Sequence, residues 1–276
     1  DPSMLGTYGG QRSWTAMNTP LRWLRTTGSI IAPTSPGRGG SWGGGNWVPG
    51  GGAVCLKGGA ATVLNGQVSA KAIAMNSADG SGGSIFLTTG SLSGTGTTDV
   101  SAVTGGAGGG GRLAVILTGS ASFGSVVMQA YGGSASFGPG GAGTIYKEHT
   151  GHAPGHGLLL IDNNNYLHSS FEGPNIPPYF GYGATLLPAA GDGGPVNLGD
   201  FADIIVTNNG VLGINTDTIV NFGTANLRLS GRDKSFIALR GAGGVTFPPN
   251  WSISGFTLLV DTNTMATGSW TVTTNG

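Results

Sequence analysis

The chain has 276 residues, of which 56 are glycine and only 9% are charged, with twelve basic and twelve acidic side chains. Nucleic-acid binding is disfavoured because it requires a basic face, and charge-driven disorder is disfavoured because the chain carries so little charge. Glycine follows no strict three-residue period, which excludes collagen, and no run of 18 apolar residues predicts a transmembrane segment.

Residues 1–50 differ from the rest of the chain and hold four of its six tryptophans. An open end of a repeat protein exposes strand edges and apolar core. We therefore predict that this segment caps the repeat that follows or serves in assembly. Trp42 and Trp47 lie in the phrase GGSWGGGNWVPGGG, where flanking glycines would leave both rings exposed. These two residues are candidates for binding a glycan or a partner.

Residues 51–165 repeat one unit, which consists of a glycine pair, a short apolar strand, a small-residue bend and a second strand. Equivalent first-strand positions, at spacings of 31, 28 and 32 residues, are Val54, Ile85, Leu113 and Ile145. Equivalent second-strand positions are expected at Val68, Val100, Val127 and Leu159. A period of 20–50 residues is typical of a solenoid, in which stacked units bury a column that one unit could not bury alone.

One rung of this repeat would complete one turn of a parallel β-helix, with neighbouring rungs about 4.8 Å apart. The glycines suit bends that need either a positive φ or a close approach of two backbones. Cys55 is the only cysteine and lies in the first apolar strand. We expect it to be a small, buried apolar side chain.

Two phrases of the repeat are more specific, namely GGGGRLAVILTGSASFGSVVMQAYGG and GGAGTIYKEHTGHAPGHGLLLIDNNN. They resemble the glycine-rich β-helix repeats of very large secreted bacterial surface proteins. The resemblance covers residues 50–165 well and residues 195–276 only in style. It implies an all-β fold, a right-handed parallel β-helix, and a secreted or cell-surface location. It implies no catalytic residues.

Residues 166–195 break the period and carry five prolines. We predict an irregular loop that leaves the solenoid, and loops frequently carry binding residues. An aromatic patch for ligand contact would consist of Phe171, Tyr179, Phe180 and Tyr182. Packing of these rings on the loop's own scaffold is the alternative.

Residues 196–276 return to strand-like runs at shorter spacing, with a turn expected at Asn208 to Gly210. They predict a continuation of the coil with smaller rungs. A small β-sandwich that follows the β-helix is the alternative.

The four histidines fall close together in the sequence, three of them just after Glu148. His149, His152 and His156 would converge on a metal ion if their turn folds back. The alternative interpretation is that these histidines are solvent-exposed polar residues of a solenoid turn and bind no metal.

Two acidic-amide runs, at residues 162–165 and at Asp192, offer oxygen ligands to a structural calcium ion. Asparagines that hydrogen-bond from rung to rung explain the same pattern without a metal. We predict no other cofactor.

Gly155-His156-Gly157 and Asn215-Thr216-Asp217 are similar to motifs of β-helical polygalacturonases, whose chemistry uses paired carboxylates. Their order is reversed here, and the sequence contains no Asp-Asp pair. We therefore predict that the chain is not an enzyme.

Together these features predict a non-enzymatic extracellular structural or adhesive module, such as a segment of a surface fibre, a stalk or an adhesin. Its expected partners are further copies of itself, a larger parent chain, or surface glycans. The alternative function is a carbohydrate-binding or carbohydrate-degrading β-helix protein of the tailspike or depolymerase kind.

Overall fold

The computed structural model describes residues 8–10, 26–42, 46–73, 80–106, 108–134, 139–166, 183–187, 201–214, 220–221, 235–240, 245–246, 250–254, 256–261 and 269–273. This part of the chain contains strands and turns and no helix, and its parallel sheets stack about 30 residues apart as a β-solenoid of about four turns. The all-β parallel solenoid predicted from the repeat is therefore confirmed.

The strands of the first half are β1 (Gly40–Trp42), β2 (Asn46–Val48), β3 (Ala53–Lys57), β4 (Thr62–Val63), β5 (Gln67–Ser69), β6 (Ser84–Thr89), β7 (Leu92–Ser93), β8 (Thr97–Asp99), β9 (Arg112–Leu117), β10 (Val127–Gln129), β11 (Thr144–Glu148) and β12 (Leu158–Asp162). Those of the second half are β13 (Thr185–Leu186), β14 (Asp203–Thr207), β15 (Val211–Ile214), β16 (Val220–Asn221), β17 (Ser235–Arg240), β18 (Val245–Thr246), β19 (Asn250–Ser254), β20 (Phe256–Asp261) and β21 (Ser269–Thr273).

The first strands of four rungs, β3, β6, β9 and β11, pair in parallel and in the predicted register. Val54 pairs with Ile85, Ile85 with Leu113, and Leu113 with Ile145. The last three are almost completely buried, and Val54 packs against them at the end of the column. Each buried side chain of this size contributes about 1.5–3 kcal/mol, so the shared column is a principal source of the fold's stability.

The predicted second-strand column is wrong, because the bends between the two strands differ in length from rung to rung. Val68 pairs with Thr98, and Thr98 pairs with Met128. Val100 lies just beyond β8 and is completely buried, whereas Val127 is 45% exposed. Equivalent positions of the second strands are therefore not marked by a shared apolar residue type.

Leu159 is also not where the repeat placed it, because the fourth rung reverses direction. Its strand β12 pairs antiparallel with β11, so that Leu159 lies opposite Tyr146. Strand β14 then pairs in parallel with β12. The six-stranded sheet consequently has the order β14-β12-β11-β9-β6-β3 and is mixed.

The glycine that opens each rung allows two backbones to approach closely. A Cβ atom would lie 1.9 Å from the carbonyl oxygen of Ala70 if added at Gly51, and 1.7 Å from that of Val100 if added at Gly82. Neither glycine has a positive φ. Of the two expected reasons for these glycines, a positive φ and a close approach of two backbones, the close approach applies here.

The described residues of the N-terminal segment lie beside the glycines that open the rungs, and they contact several rungs. Gly37 donates its N–H to the carbonyl oxygen of Gly51, and Gly10 donates to that of Gly110, at 2.8 and 2.9 Å. Tyr8, which belongs to this segment, is completely buried, and its hydroxyl lies 2.8 Å from Oγ of Ser84 in the coil. This part of residues 1–50 therefore covers the side of the coil.

The second half of the chain forms another parallel sheet, in the order β13-β15-β17-β20. Its rungs are shorter, since Leu212 pairs with Ile237 after 25 residues and Ile237 with Leu258 after 21. The expected turn is present, because Asn208 and Asn209 both have positive φ. Parallel pairing favours the coil with smaller rungs over the β-sandwich.

Candidate interaction surface

The first rung (residues 51–73) presents three strands that each lie at the end of a sheet. β3 ends the six-stranded sheet, β5 ends the three-stranded sheet β10-β8-β5, and β4 pairs with β7. Within the described part of the chain, the outer edges of these three strands have no partner strand. Unpaired strand edges are able to pair with another chain.

Apolar side chains are exposed on the same rung. Leu56 is 38% exposed, whereas Leu87, its partner in the second rung, is 3% exposed. Val63 and Ile73 are 67% and 57% exposed. The three residues make the first rung an apolar as well as an unpaired end, which we call the open end.

The prediction that Cys55 is buried is wrong, because its thiol is free and exposed. Cys55 is the central residue of β3 and pairs with Phe86 on one side only. Cys55 alternates with Val54 and Leu56, which align with the buried Ile85 and Leu87, so it lies on the outward face of β3. On the same face of the second rung, Phe86 is also only partly buried.

A glycine column gives the open end a distinctive geometry. A Cβ atom added at Gly83 would lie 1.9 Å from the carbonyl oxygen of Gly52 in the preceding rung, and one added at Gly111 would lie 2.1 Å from that of Gly83. Gly143 repeats the relationship at 1.8 Å from Gly111. At Gly52, the equivalent residue of the first rung, no described atom lies within 4 Å.

The two predicted tryptophans occupy the β1–β2 hairpin. Trp47 pairs with Ser41, and Trp42 pairs with Asn46. Because successive positions alternate between the two faces of a strand pair, positions 42 and 47 lie on opposite faces. Trp47 is 66% exposed and is available for contact, whereas the adjacent Val48 is buried. The predicted aromatic residues Phe171, Tyr179, Phe180 and Tyr182 lie outside the described residues.

The histidine turn is held by hydrogen bonds of its own. His149 donates its backbone N–H to Nδ1 of His152 at 3.2 Å, and the N–H of Gly151 donates to Nδ1 of His149 at 2.9 Å. The two rings lie 3.8 Å apart between centroids. Burial, followed by the nearby His149, lowers the pKa of His152.

The expected metal site is not formed by His149, His152 and His156. Among the described residues, which include all three and Glu148, no group of three or more His, Cys, Asp or Glu side chains is placed to hold one metal ion. The physical reason is that two Nδ1 atoms already accept backbone N–H groups.

The side chains of Tyr146 and Glu148 stabilise the histidine turn by hydrogen bonds. The Tyr146 hydroxyl donates to the carboxylate of Glu148 and accepts the N–H of Gly157 at 2.9 Å. The same carboxylate accepts the N–H of Gly155 at 2.8 Å. Burial, and then the hydrogen bond to Glu148, raise the pKa of Tyr146. These contacts stabilise the turn in which the chain reverses between β11 and β12.

The Asp162 turn contains asparagines that bond between neighbouring turns, as the metal-free interpretation expected. Oδ1 of Asp162 accepts the N–H of Asn164 at 2.8 Å and the Nδ2–H of Asn208 at 3.0 Å. Asn163 bridges Gly132 and Gly140. Asp192 lies outside the described residues.

Comparison with known proteins identifies no relative. No protein-family model, no curated protein and no solved structure matches the chain. In the part of the chain that is described, no helix is long and apolar enough to cross a membrane.

Proposed function

We propose that this protein is a non-enzymatic structural or adhesive module of an extracellular surface structure and that it associates through its open end. The observation that carries the proposal is the first rung, where three strand edges and three exposed apolar side chains lie together. Such an end is an aggregation hazard in a protein that remains alone, but it is useful in one that is built into a larger assembly.

The low charge of the chain supports the same proposal. Charged residues make up 9% of the sequence and sum to a formal net charge of zero. Charge repulsion between copies is therefore weak, and apolar and backbone contacts are able to dominate the association. A bacterial surface or secreted location follows only from the resemblance described above and belongs to the proposal.

Trp47 supports the adhesive part of the proposal. Its ring is 66% exposed on a two-stranded hairpin. Exposed aromatic rings stack on the apolar faces of sugars, which makes a glycan the expected ligand class of an adhesive module. A glycan array that compares the protein with Trp47→Ala tests this part by itself.

Sedimentation velocity over a wide concentration range tests the association. We expect the wild type to form species larger than a monomer, and we expect Val63→Lys and Leu56→Lys to remain monomeric, because a charge on the open end opposes desolvation. The control is Val127→Lys, which changes an exposed valine of the third rung and is expected to associate normally. A wild type that stays monomeric at every concentration contradicts the proposal.

A further inference from the structure

We propose that the open end binds the open end of a second copy of this chain, with the two β3 strands antiparallel and centred on Cys55. The inference rests on the proposed function and specifies the partner of the open end and the register of the contact. The six-stranded sheet of one copy would continue through this contact into the sheet of the other, so that two coils stack head to head.

The backbone groups of β3 point alternately toward β6 and toward the outer edge. The carbonyl oxygen of Gly52 accepts the N–H of Ser84 at 2.9 Å, and the N–H of Gly58 donates to the carbonyl oxygen of Thr88 at 2.8 Å. Because alternate residues of a strand bond to the same neighbouring strand, the odd-numbered residues of β3 direct their N–H and C=O groups to the outer edge. These residues are all exposed and comprise Ala53, Cys55 and Lys57.

Symmetry fixes the direction of the pairing. When two copies meet by the same edge, with both cores on one side of the shared sheet, a two-fold axis relates them and the facing strands are antiparallel. The six-stranded sheet already accepts an antiparallel neighbour, because β12 pairs antiparallel with β11. The direction therefore follows from β3 itself and requires no other strand of the chain.

The edge-pointing backbone groups select the register. In an antiparallel pair, directly opposite residues that point to the shared edge exchange two hydrogen bonds. Pairing centred on Cys55 allows all three edge-pointing residues to bond, since Cys55 faces its counterpart and Ala53 faces Lys57 on either side. Pairing centred on Val54 or Leu56 leaves one of the three without a partner in β3. The register centred on Cys55 therefore forms the most hydrogen bonds.

The side chains of β3 agree with this register. Val54 of one copy lies opposite Leu56 of the other on the core side of the sheet, so that Leu56, which is 38% exposed in one copy, gains an apolar neighbour. The two Lys57 side chains lie at opposite ends of the contact, roughly 14 Å apart along the strand. Like charges therefore do not face each other, which would be destabilising.

Cross-linking tests the contact, because Cys55 is the only cysteine of the chain. Opposite residues in a hydrogen-bonded antiparallel pair have Cα atoms about 5.5 Å apart, which lies within the range that a disulfide spans. A glutathione redox buffer is therefore expected to produce a covalent dimer of dilute wild type. In the control, Cys55→Ser combined with Ser93→Cys, the exposed thiol lies in the second rung and is expected to give no dimer.

A mixture of two variants distinguishes this register from other contacts along β3. Ala53→Cys and Lys57→Cys, each combined with Cys55→Ser, carry thiols that face each other only across the two different variants. Each variant alone should give little covalent dimer, since its own thiols lie roughly 14 Å apart along the strand, whereas the mixture should give a covalent heterodimer. Equal cross-linking of each variant alone and of the mixture would overturn the register.

Proline at the centre of the contact provides an independent readout. The N–H of Cys55 points away from β6, and proline is tolerated where the N–H of an edge strand faces outward. Cys55→Pro is therefore expected to keep the circular dichroism spectrum and unfolding midpoint of the wild type and to lose the dimer in sedimentation velocity. The matched control Val54→Pro removes an N–H that points to β6 and is expected to lower the unfolding midpoint. If Cys55→Pro does not fold, the mixed cysteine variants decide the question.

The outcomes separate the two proposals. If the wild type never associates, the proposed function fails, and this inference fails with it. If the wild type associates and Val63→Lys prevents the association, but Cys55 does not cross-link and a folded Cys55→Pro still associates, only the head-to-head pairing of β3 is overturned.

Discussion

Arg112 is completely buried and donates its Nε–H to the carbonyl oxygen of Thr27 at 2.9 Å, so that a charged side chain of the third rung anchors the N-terminal segment. Its Nη1 donates to Thr144 Oγ1 at 3.2 Å, and the Tyr8 ring lies 5.5 Å from the guanidinium carbon. Nη2 is buried without a hydrogen-bond partner among the described residues. Burial lowers the pKa of Arg112 to about 10.

Arg112→Ala is expected to lower the free energy of unfolding by about 3 kcal/mol, because it leaves a cavity and an unpaired carbonyl at Thr27. Arg112→Met fills the space and removes a charge that is costly to bury, so its loss should be clearly smaller. Urea unfolding measures both. The alanine variant should also be cleaved faster by proteases at residues 26–38, and an unchanged cleavage rate would contradict the anchoring role.

Gly83→Ala is expected to be severely destabilising, because the new methyl group would meet the backbone of Gly52 at 1.9 Å and backbone cannot move aside as a side chain can. A loss of more than about 3 kcal/mol or failure to fold is expected. The matched control is Gly52→Ala, whose methyl group meets no described atom. Equal losses for the two variants, measured by thermal unfolding of dilute monomer, would contradict the stacking geometry.

Tyr146→Phe removes the hydroxyl that accepts the N–H of Gly157 and donates to Glu148. Because the N–H group is left buried without a partner, we expect a loss of about 1–3 kcal/mol in the free energy of unfolding. Glu148→Gln retains an oxygen acceptor for both donors and serves as the milder comparison. Faster hydrogen exchange at Gly157 in Tyr146→Phe would localise the effect to the turn.

Acidification is expected to destabilise the histidine turn. The folded-state pKa of His152 lies below its unfolded value of 6.5, so the unfolded chain binds the proton more readily. The stability contribution of neutral His152 is present above pH 6.5 and is lost as the pH falls below this value. The unfolding midpoint should therefore decrease as the pH is lowered from about 7 to about 5, because the loss begins near the unfolded pKa of 6.5 and continues toward the lower folded pKa.

His152→Gln should reduce that pH dependence, because glutamine does not titrate. Glu148 and Asp203 near the ring act in the opposite direction and limit the size of the effect. If the unfolding midpoint of the variant depends on pH as steeply as that of the wild type, groups other than His152 cause the dependence.

The first-strand column could be predicted from sequence because Val54, Ile85, Leu113 and Ile145 follow glycine pairs at nearly constant spacing. The second-strand column could not, since a bend between strands can gain or lose a residue without changing its composition. Val100 illustrates this, because it is buried as expected but lies outside the strand pair that the spacing predicted. The reversal before Leu159 is accompanied by contacts of the Tyr146 hydroxyl with Glu148 and Gly157, which no local pattern reveals.

The repeat by itself determined that the chain is an all-β solenoid, because units with too few apolar residues must share a core with their neighbours. Only the tertiary structure decided which rung lies at an end. Leu56 and Gly52 have the sequence context of interior residues, and their exposure follows from the described neighbours of β3, which lie on one side of it. Burial depends on what lies across the strand edge, and a sequence pattern describes only the strand.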